Sequence, residues 1–212
     1  MKKRIYIIGA GDFGREMESW LENFPNFKNE YEIIGYLDND SKSLQKKPSD
    51  YKILGCVEDI DFKKNDYVVI AISNSKVRKR IAESLTNKVN FFTYIAPNVI
   101  IGKFTKIGKG SIICSNCFIS TNTTIGDFVI ANAGSNIGHD CIIESYCSLM
   151  ASVDIGGSVT IGEKVYIGTK ATIIPKKRIF KDITIGAGST VIRNLNKEGT
   201  YFGNPAKFIG KY

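Results

Sequence analysis

The chain has 212 residues and a mass of 23.5 kDa, enough for one large domain or two small ones that bury a core without disulfides. Hydrophobic residues make up 43% and charged residues 24%, a balance that excludes a disordered tail or a coiled coil. The net charge of +8 comes in short basic clusters without interleaved aromatic residues, so small phosphorylated ligands are favoured over nucleic acid.

The cysteine and histidine content narrows the chemistry further. Five cysteines, an odd number in a chain without an export signal, predict free thiols. No apolar run reaches the ~20 residues that cross a bilayer, so no membrane insertion and a cytoplasmic location are expected. His139 is the single histidine, which excludes a His-rich metal site within one chain, and no metal is expected.

The first part of the chain alternates strand and helix patterns. The apolar run Lys3 to Ile8 predicts a strand, apolar residues at helical spacing follow from Phe13 to Phe24, and two further strands are predicted at Tyr31 to Leu37 and Tyr67 to Ile72. This alternation indicates a small parallel sheet covered by helices, a Rossmann-like domain over residues 1–94.

A second helix is predicted after the third strand. Val77, Ile81 and Leu85 recur on one face, and Ser73 or Asn74 is placed to cap the helix. The basic residues of this segment are expected to point away from the core: Arg78, Lys79 and Arg80.

A glycine motif lies between the first strand and the first helix. Gly9-Ala10-Gly11-Asp12-Phe13-Gly14 matches G-x-G-x-x-G, in a context that lets backbone N–H groups approach a phosphate. Asp38 ends the second strand, where a carboxylate can bond a ribose hydroxyl. Because fewer than 95 residues precede the next domain, too few for two mononucleotide-binding halves, a single nucleotide or a nucleotide sugar is favoured over NAD.

From residue 95 onward the pattern changes to a period of six. In steps of six from Ile95 to Val191, sixteen of seventeen positions are Ile, Leu or Val. Four residues after each of these positions the side chain is again small or apolar, with Lys177 as the one exception. Repeated hexads without insertions predict a three-sided solenoid, in which residues 18 apart stack at the ~4.8 Å strand spacing. The predicted second domain covers residues 95–212.

Two details of the repeat carry expectations of their own. Cys114 and Cys117 spell C-x-x-C, but Cys117 falls in the small inward column, so a core role is favoured over redox or zinc chemistry. The segment from Ile173 to Phe180 matches the repeat least well, with Lys177 in the inward column, and a distorted coil or bulged loop is expected there.

His139 is the third residue of its hexad, outside both inward columns. It is therefore expected to face out or to lie at a corner of the prism. The neighbouring Asp140 can orient and polarise the ring, as a neutral base near pH 7 requires. A plain surface imidazole is the alternative.

The glycine motif, Asp38, the stretch Ala71-Ile72-Ser73-Asn74, the hexads, His139-Asp140 and the ending Gly203-Asn204-Pro205-Ala206-Lys207 together resemble one family. It is that of the bacterial sugar acetyltransferases, which join an N-terminal nucleotide-binding domain to a left-handed parallel β-helix. The family includes UDP-4-amino-sugar N-acetyltransferases and sialic-acid O-acetyltransferases. The resemblance extends over nearly the whole chain. The left-handedness of the predicted β-helix is implied by this resemblance alone and not by the hexad pattern.

The resemblance implies roles for particular residues. His139 is the implied general base, Asp140 its carboxylate partner, and Gly157 the residue whose N–H points at the thioester carbonyl. Implied contacts to the nucleotide sugar are Gly9, Gly11, Asp12, Phe13, Gly14, Asp38, Ser73, Asn74 and Asn132. Acetyl-CoA is the implied donor, running past Gly157 and along Ala187, Gly188 and Ser189, with Lys207 near its phosphates. A homotrimer with active sites between subunits is also implied.

The expected activity is acetyl transfer from acetyl-CoA to the amine of a nucleotide-activated amino sugar by direct attack. O-acetylation of a sugar hydroxyl, on a free, nucleotide-linked or polymer-linked sugar, is the enzymatic alternative. A nucleotide-binding scaffold without chemistry is the alternative from a different class, and an NAD-dependent oxidoreductase is a more remote one.

Overall fold

The computed structural model describes residues 2–211 and divides the chain into two compact units between Phe92 and Thr93. This division comes two residues before the predicted boundary. The reason is that Tyr94–Ile95 already forms a strand of the second unit, where the Tyr94 N–H donates to the Ser111 carbonyl.

The first unit is a four-stranded parallel sheet with helices, as predicted. The strand order β2-β1-β3-β4 makes the chain reverse its winding direction between β1 and β3. The elements are β1 (Lys3–Ile8), α1 (Asp12–Glu22), α2 (Phe27–Glu30), β2 (Tyr31–Leu37), a 3₁₀ turn (Val57–Asp59), β3 (Asp66–Ile70), α3 (Ser75–Ser84) and β4 (Asn90–Phe91).

Helix α3 corrects one expectation about its basic residues. Asn74 caps the helix, since its Oδ1 accepts the N–H groups of Lys76 and Val77, both at 3.1 Å. Arg78, however, is fully buried rather than turned to solvent. Its guanidinium donates to the carbonyls of Ile72 at 2.6 Å and Ser73 at 3.1 Å, because the chain leaving β3 exposes carbonyls that need a donor.

The second unit is a prism with three walls, each a sheet of parallel strands from successive coils. Wall 1 holds β7 (Lys106–Ile107), β10 (Thr124–Ile125), β13 (Ile142–Ile143), β16 (Thr160–Ile161) and β19 (Arg178–Ile179). Wall 2 holds β5 (Tyr94–Ile95), β8 (Ile112–Ile113), β11 (Ile130–Ala131), β14 (Ser148–Leu149), β17 (Tyr166–Ile167), β20 (Ile183–Ile185), β22 (Gly199–Phe202) and the antiparallel β23 (Lys207–Gly210). Wall 3 holds β6 (Ile100–Ile101), β9 (Phe118–Ile119), β12 (Asn136–Ile137), β15 (Asp154–Ile155), β18 (Thr172–Ile173) and β21 (Thr190–Val191).

The core of the prism follows the two inward columns. Ile119, Ile137 and Ile155 are paired one above another across neighbouring strands and are at most 2% exposed. Burying each such side chain contributes about 1.5–3 kcal/mol. The first residue of this column is less well covered, since Ile101 in the first coil is 42% exposed. The predicted class, a Rossmann-like sheet followed by a left-handed parallel β-helix, is confirmed.

The corners of the prism hold residues in the left-handed region of backbone space. Asn122 (φ 56°), Asp140 (φ 58°) and Ser158 (φ 59°) occupy this position on one edge, in successive coils. Each of their N–H groups donates to a carbonyl one coil earlier: Lys103 for Asn122, Thr121 for Asp140 and His139 for Ser158. These bonds fix the backbone of the edge from coil to coil.

The expected distortion near residue 177 is wrong. Strands Thr172–Ile173 and Arg178–Ile179 keep the register, and the Thr160 N–H donates to the Lys177 carbonyl as in other coils. The coil stays regular because Lys176 (φ 62°) adopts the usual corner conformation and its N–H bonds the Gly157 carbonyl.

Among residues 2–211, no helix is long and apolar enough to span a bilayer.

Candidate functional site

A cavity of about 490 Å³ lies in the first unit, at the carboxyl ends of its strands. Gly9 follows β1, Asp38 follows β2 and Ile72 follows β3, so the cavity includes the point where the winding reverses. Parallel sheets bind ligands in this crevice. The residues that line it are Ile8, Gly9, Leu37, Asp38, Asn39, Val57, Glu58, Ile72, Val77, Arg80, Ile81 and Ser84.

Asp38 joins the second strand to the glycine turn. Its Oδ2 accepts the Ala10 N–H at 2.7 Å, and its Oδ1 accepts the Asp40 N–H at 2.9 Å. Gly14 is required by close packing, since a Cβ there would lie 1.9 Å from the Gly9 carbonyl oxygen. The carboxylate therefore fixes the turn that borders the cavity, and it keeps lone pairs for a ligand hydroxyl.

The other predicted contacts of this unit lie elsewhere in it. Asp12 is 79% exposed and bonds Lys47 Nζ at 2.9 Å and Arg15 at 2.7 Å. The hydrogen bond from Lys47, followed by that from Arg15, holds the pKa of Asp12 below its usual value. Phe13 packs edge-to-face on Trp20 with ring centroids 5.9 Å apart. Gly9 and Asp38 are the predicted contacts that border the cavity, whereas Asn74 caps α3.

His139 lies on the edge between wall 3 and wall 1, as its hexad position predicts. Its side chain is 59% exposed, and Nδ1 lies 2.6 Å from Oδ2 of Asp140. Because a carboxylate accepts hydrogen bonds, this contact places the imidazole proton on Nδ1. The unprotonated nitrogen of the neutral ring is then Nε2.

Asp140 has a second partner that sequence reasoning missed. Nδ2 of Asn122 donates to Oδ1 of Asp140 at 2.6 Å, so each carboxylate oxygen is held by a different neighbour. The bond from Asn122 and then the bond from His139 hold the pKa of Asp140 below its usual value. Asn122 lies 18 residues before Asp140, and comparing residues at that spacing on the outer columns is the signal that finds it.

Gly157 occupies the position of His139 one coil later. A Cβ built on Gly157 would lie 2.5 Å from Nε2, 2.7 Å from Cε1 and 3.0 Å from Cδ2 of the imidazole. Only a glycine leaves room for the ring in this orientation. Within residues 2–211 the Gly157 N–H has no hydrogen-bond acceptor, so the residue packed against the imidazole has a backbone donor that is free to bind a ligand oxygen.

The remaining predicted contacts lie on the next edge. Asn132, Ala187 and Gly188 follow strands of wall 2, so they occupy the edge between walls 2 and 3. Asn132 Oδ1 accepts the neighbouring Ala133 N–H at 2.6 Å. Lys207 is exposed at the start of β23. One chain therefore presents the predicted base and the predicted donor channel on two neighbouring edges.

Ser189 is a correction to the expected acetyl-CoA contacts. Its side chain is 1% exposed, and its hydroxyl accepts the Gly203 N–H at 3.0 Å. The reason is its place in the small inward column, four residues after Ile185. The hydroxyl of Ser189 therefore packs inside the prism instead of lining an outer wall.

Four of the five cysteines are buried in the second unit, and the described residues hold no metal cluster. Cys117 is 2% exposed, Cys141 is fully buried, and within residues 2–211 none of the five cysteines forms a disulfide. Burial raises the pKa of both Cys117 and Cys141. Across residues 2–211 there is no group of three or more His, Cys, Asp or Glu side chains that could hold a metal ion.

The cavity adds residues that were not predicted from the sequence as ligand contacts. Asn39, Glu58 and Arg80 line it although no motif marks them. Arg80 has one available signal, since it follows Val77 by three residues and so lies on the same side of the helix. Glu58 had none, because the segment between β2 and β3 follows no regular pattern.

The two units define a class of protein in which a small parallel sheet domain precedes a hexapeptide-repeat β-helix. Residues 4–85 match the family model described as the PglD N-terminal domain. Residues 77–191, more than half of the chain, match the model described as the GMPPB C-terminal domain. The chain belongs to this latter family.

Two curated relatives are similar to about half of this chain. A UDP-N-acetylbacillosamine N-acetyltransferase from Bacillus subtilis (strain 168) is 30% identical over 120 residues, which cover 52% of this chain and 51% of that protein. A GDP-perosamine N-acetyltransferase from Escherichia coli O157:H7 is 33% identical over 122 residues, covering 54% and 52%. The chain spans about half the length of these curated relatives.

A solved structure matches nearly the whole chain. PerB from Caulobacter crescentus, in complex with CoA and GDP-perosamine, superposes with a TM-score of 0.86 at 24% identity, covering 97% of each chain. At that identity the likeness establishes the fold. The resemblance to sugar acetyltransferases with an N-terminal nucleotide-binding domain is confirmed by the family matches and the named relatives.

Proposed function

We propose that this protein is an acetyl-CoA-dependent acetyltransferase that acts on the amine of a nucleotide-activated amino sugar. The observation that carries the proposal is the edge at His139, where the imidazole packs against Gly157, a residue whose N–H has no acceptor within residues 2–211. A base and an oxyanion donor side by side are the two groups that acyl transfer requires. The named relatives act on UDP- and GDP-linked sugars, which supports a substrate of this class.

The cavity of the first unit is proposed to hold the nucleotide part of the substrate. Its volume of about 490 Å³ is in the range of small-molecule sites. Asp38 offers lone pairs to ribose hydroxyls, and Arg80 offers a positive charge to the phosphates. These two side chains are proposed to bind the nucleotide and to take no part in the chemical step.

Acetyl transfer is proposed to occur in one direct displacement. The amine nitrogen attacks the thioester carbonyl carbon while His139 Nε2 takes the amine proton. The carbonyl oxygen gains negative charge and accepts a hydrogen bond from the Gly157 N–H, an interaction typically worth about 3–4 kcal/mol. The carbon–sulfur bond then breaks, and the proton on Nε2 passes to the departing CoA sulfur.

We further infer that the active form is a homotrimer with sites between subunits. The predicted base and Gly157 lie on one edge of the prism, whereas Asn132, Ala187 and Gly188 lie on the next. An exposed edge encloses a substrate only when a second surface covers it. Two edges from neighbouring copies, brought together, would combine both halves of the site.

The test is acetyl transfer measured with a panel of UDP-, dTDP- and GDP-linked amino sugars, by release of the CoA thiol and by product mass. The expected result is N-acetylation of at least one of them, with His139→Ala lowering kcat at least about 100-fold. Because the ring is exposed, its removal should change stability by no more than about 0.5 kcal/mol.

The matched control is Lys103→Ala, an exposed position in the same column two coils earlier, which should keep wild-type turnover. If acetyl groups were transferred only to sugar hydroxyls and never to an amine, the O-acetyltransferase alternative would replace the proposal. Full activity of His139→Ala would contradict the assigned base. Nucleotide binding without any acyl transfer would favour the scaffold.

A further inference from the structure

Asn122 is bonded to the proposed catalytic pair without touching the imidazole. Its Nδ2 donates to Oδ1 of Asp140 at 2.6 Å, while Oδ2 of the same carboxylate lies 2.6 Å from His139 Nδ1. The amide must present its NH₂ group to this contact, because an ionised carboxylate only accepts hydrogen bonds. The three side chains form a chain of hydrogen bonds along one edge.

We propose that Asn122 is a positioning residue, which holds the Asp140 carboxylate so that His139 keeps its proton on Nδ1 and its lone pair on Nε2 beside Gly157. This inference rests on the proposed function for its catalytic meaning. The arrangement itself is a property of the folded protein and can be tested without turnover.

The need for an anchor follows from the exposure of Asp140. Its side chain is 48% exposed and stands on a corner residue with φ 58°, so solvent competes for both oxygens. A carboxylate held only by the imidazole would turn into water for part of the time. With Oδ1 fixed by Asn122, the second oxygen stays directed at Nδ1.

The backbone fixes Asn122 and Asp140 with respect to each other. The Asn122 N–H donates to the Lys103 carbonyl at 2.9 Å, and the Asp140 N–H donates to the Thr121 carbonyl at 3.1 Å. Both residues also share the left-handed corner conformation. Their side chains therefore leave the edge in parallel, one strand spacing apart, which is the separation that one hydrogen bond bridges.

The chain contains a natural control for this contact. On the edge between walls 2 and 3, Asn98 Nδ2 donates to Asn116 Oδ1 at 2.7 Å, again across 18 residues. Asn116 also has a left-handed backbone (φ 61°) and an exposed side chain, but the position one coil later is Gly134 rather than an aspartate next to an imidazole. Asn116→Gly therefore removes the same kind of side chain in the same backbone setting.

The experiment compares Asn122→Gly with Asn116→Gly, because glycine adopts the corner conformation without strain. The single histidine makes the measurement direct, since ¹⁵N-histidine labelling with a histidine-free affinity tag gives one imidazole spectrum. At a pH where the ring is neutral, the nitrogen shifts report whether the proton lies on Nδ1 or Nε2. The kinetic readout is kcat and KM for acetyl-CoA.

We expect Asn122→Gly to shift the imidazole proton from Nδ1 towards Nε2 and to lower kcat about tenfold, with KM for acetyl-CoA unchanged. Asn116→Gly should leave both the spectrum and kcat as in the wild type. A wild-type spectrum for Asn122→Gly, or equal changes in both variants, would overturn the inference. If the wild-type protein transfers no acetyl group, the proposed function fails while the spectrum still decides whether Asn122 positions the ring.

Discussion

Adding one methyl group at Gly157 should disturb the candidate site without destabilising the fold. The new Cβ would lie 2.5 Å from His139 Nε2, and ordinary contacts of such atoms begin near 3.4 Å. The ring must therefore move by roughly 1 Å, which breaks its 2.6 Å contact with Asp140. A displacement of this size costs about 100-fold in rate. The Gly157 φ lies outside the left-handed region, so alanine fits the backbone and should stabilise the fold by about 0.4–1 kcal/mol.

The assay for Gly157→Ala combines kcat with the thermal midpoint of unfolding. We expect kcat to fall about 100-fold while Tm stays level or rises slightly. Gly156→Ala is the contrasting control, because its Cβ would lie 2.6 Å from the Pro175 nitrogen and should lower Tm. In a protein that already carries His139→Ala, adding Gly157→Ala should lower kcat little further. Wild-type turnover by Gly157→Ala, or a loss explained by unfolding, would refute this reasoning.

Three further predictions concern stability and reactivity. Gly14→Ala should lower stability by about 1–3 kcal/mol in thermal unfolding, because its Cβ would lie 1.9 Å from the Gly9 carbonyl oxygen. Burial raises the pKa of Tyr94 to about 12, above the ~10 of a tyrosine in an unfolded chain. The contribution of the buried phenol to the free energy of unfolding should therefore be complete below about pH 10 and be lost as the pH rises towards 12. In Tyr94→Phe the free energy of unfolding should fall less steeply over this pH range. The buried thiols of Cys117 and Cys141 should react with a thiol reagent at the rate of unfolding, and fast reaction in the native protein would contradict the core assignment.

The β-helix could be predicted from the sequence because the hexad pattern is both long and regular. The hexads fix which side chains face inward, and Ile119, Ile137 and Ile155 stack as the 18-residue spacing requires. The expected distortion at Lys177 failed because one long side chain in the inward column does not change the backbone register. Backbone bonds between coils determine that register, and every residue type except proline supplies both an N–H and a carbonyl for them.

The candidate site was predicted in part. The position of His139 outside the inward columns led to its exposure on an edge, and Asp140 was identified as its partner. Asn122 was missed because it is 18 residues distant and its role depends on a side-chain contact. Arg78 was misplaced because helical spacing alone does not reveal the carbonyls that its buried guanidinium binds.

The architecture explains why chemistry can be placed on this prism at little cost in stability. Inward columns carry most of the packing energy, whereas exposed corner side chains such as Asn122 and Asp140 contribute little of it. The relay of Asn122, Asp140 and His139 above Gly157 uses one edge over neighbouring coils, and the coil-to-coil backbone bonds position all four residues. Because the edge is convex, it holds these groups in order but encloses nothing. The same geometry that holds the proposed base in place therefore makes a second surface necessary for a closed site.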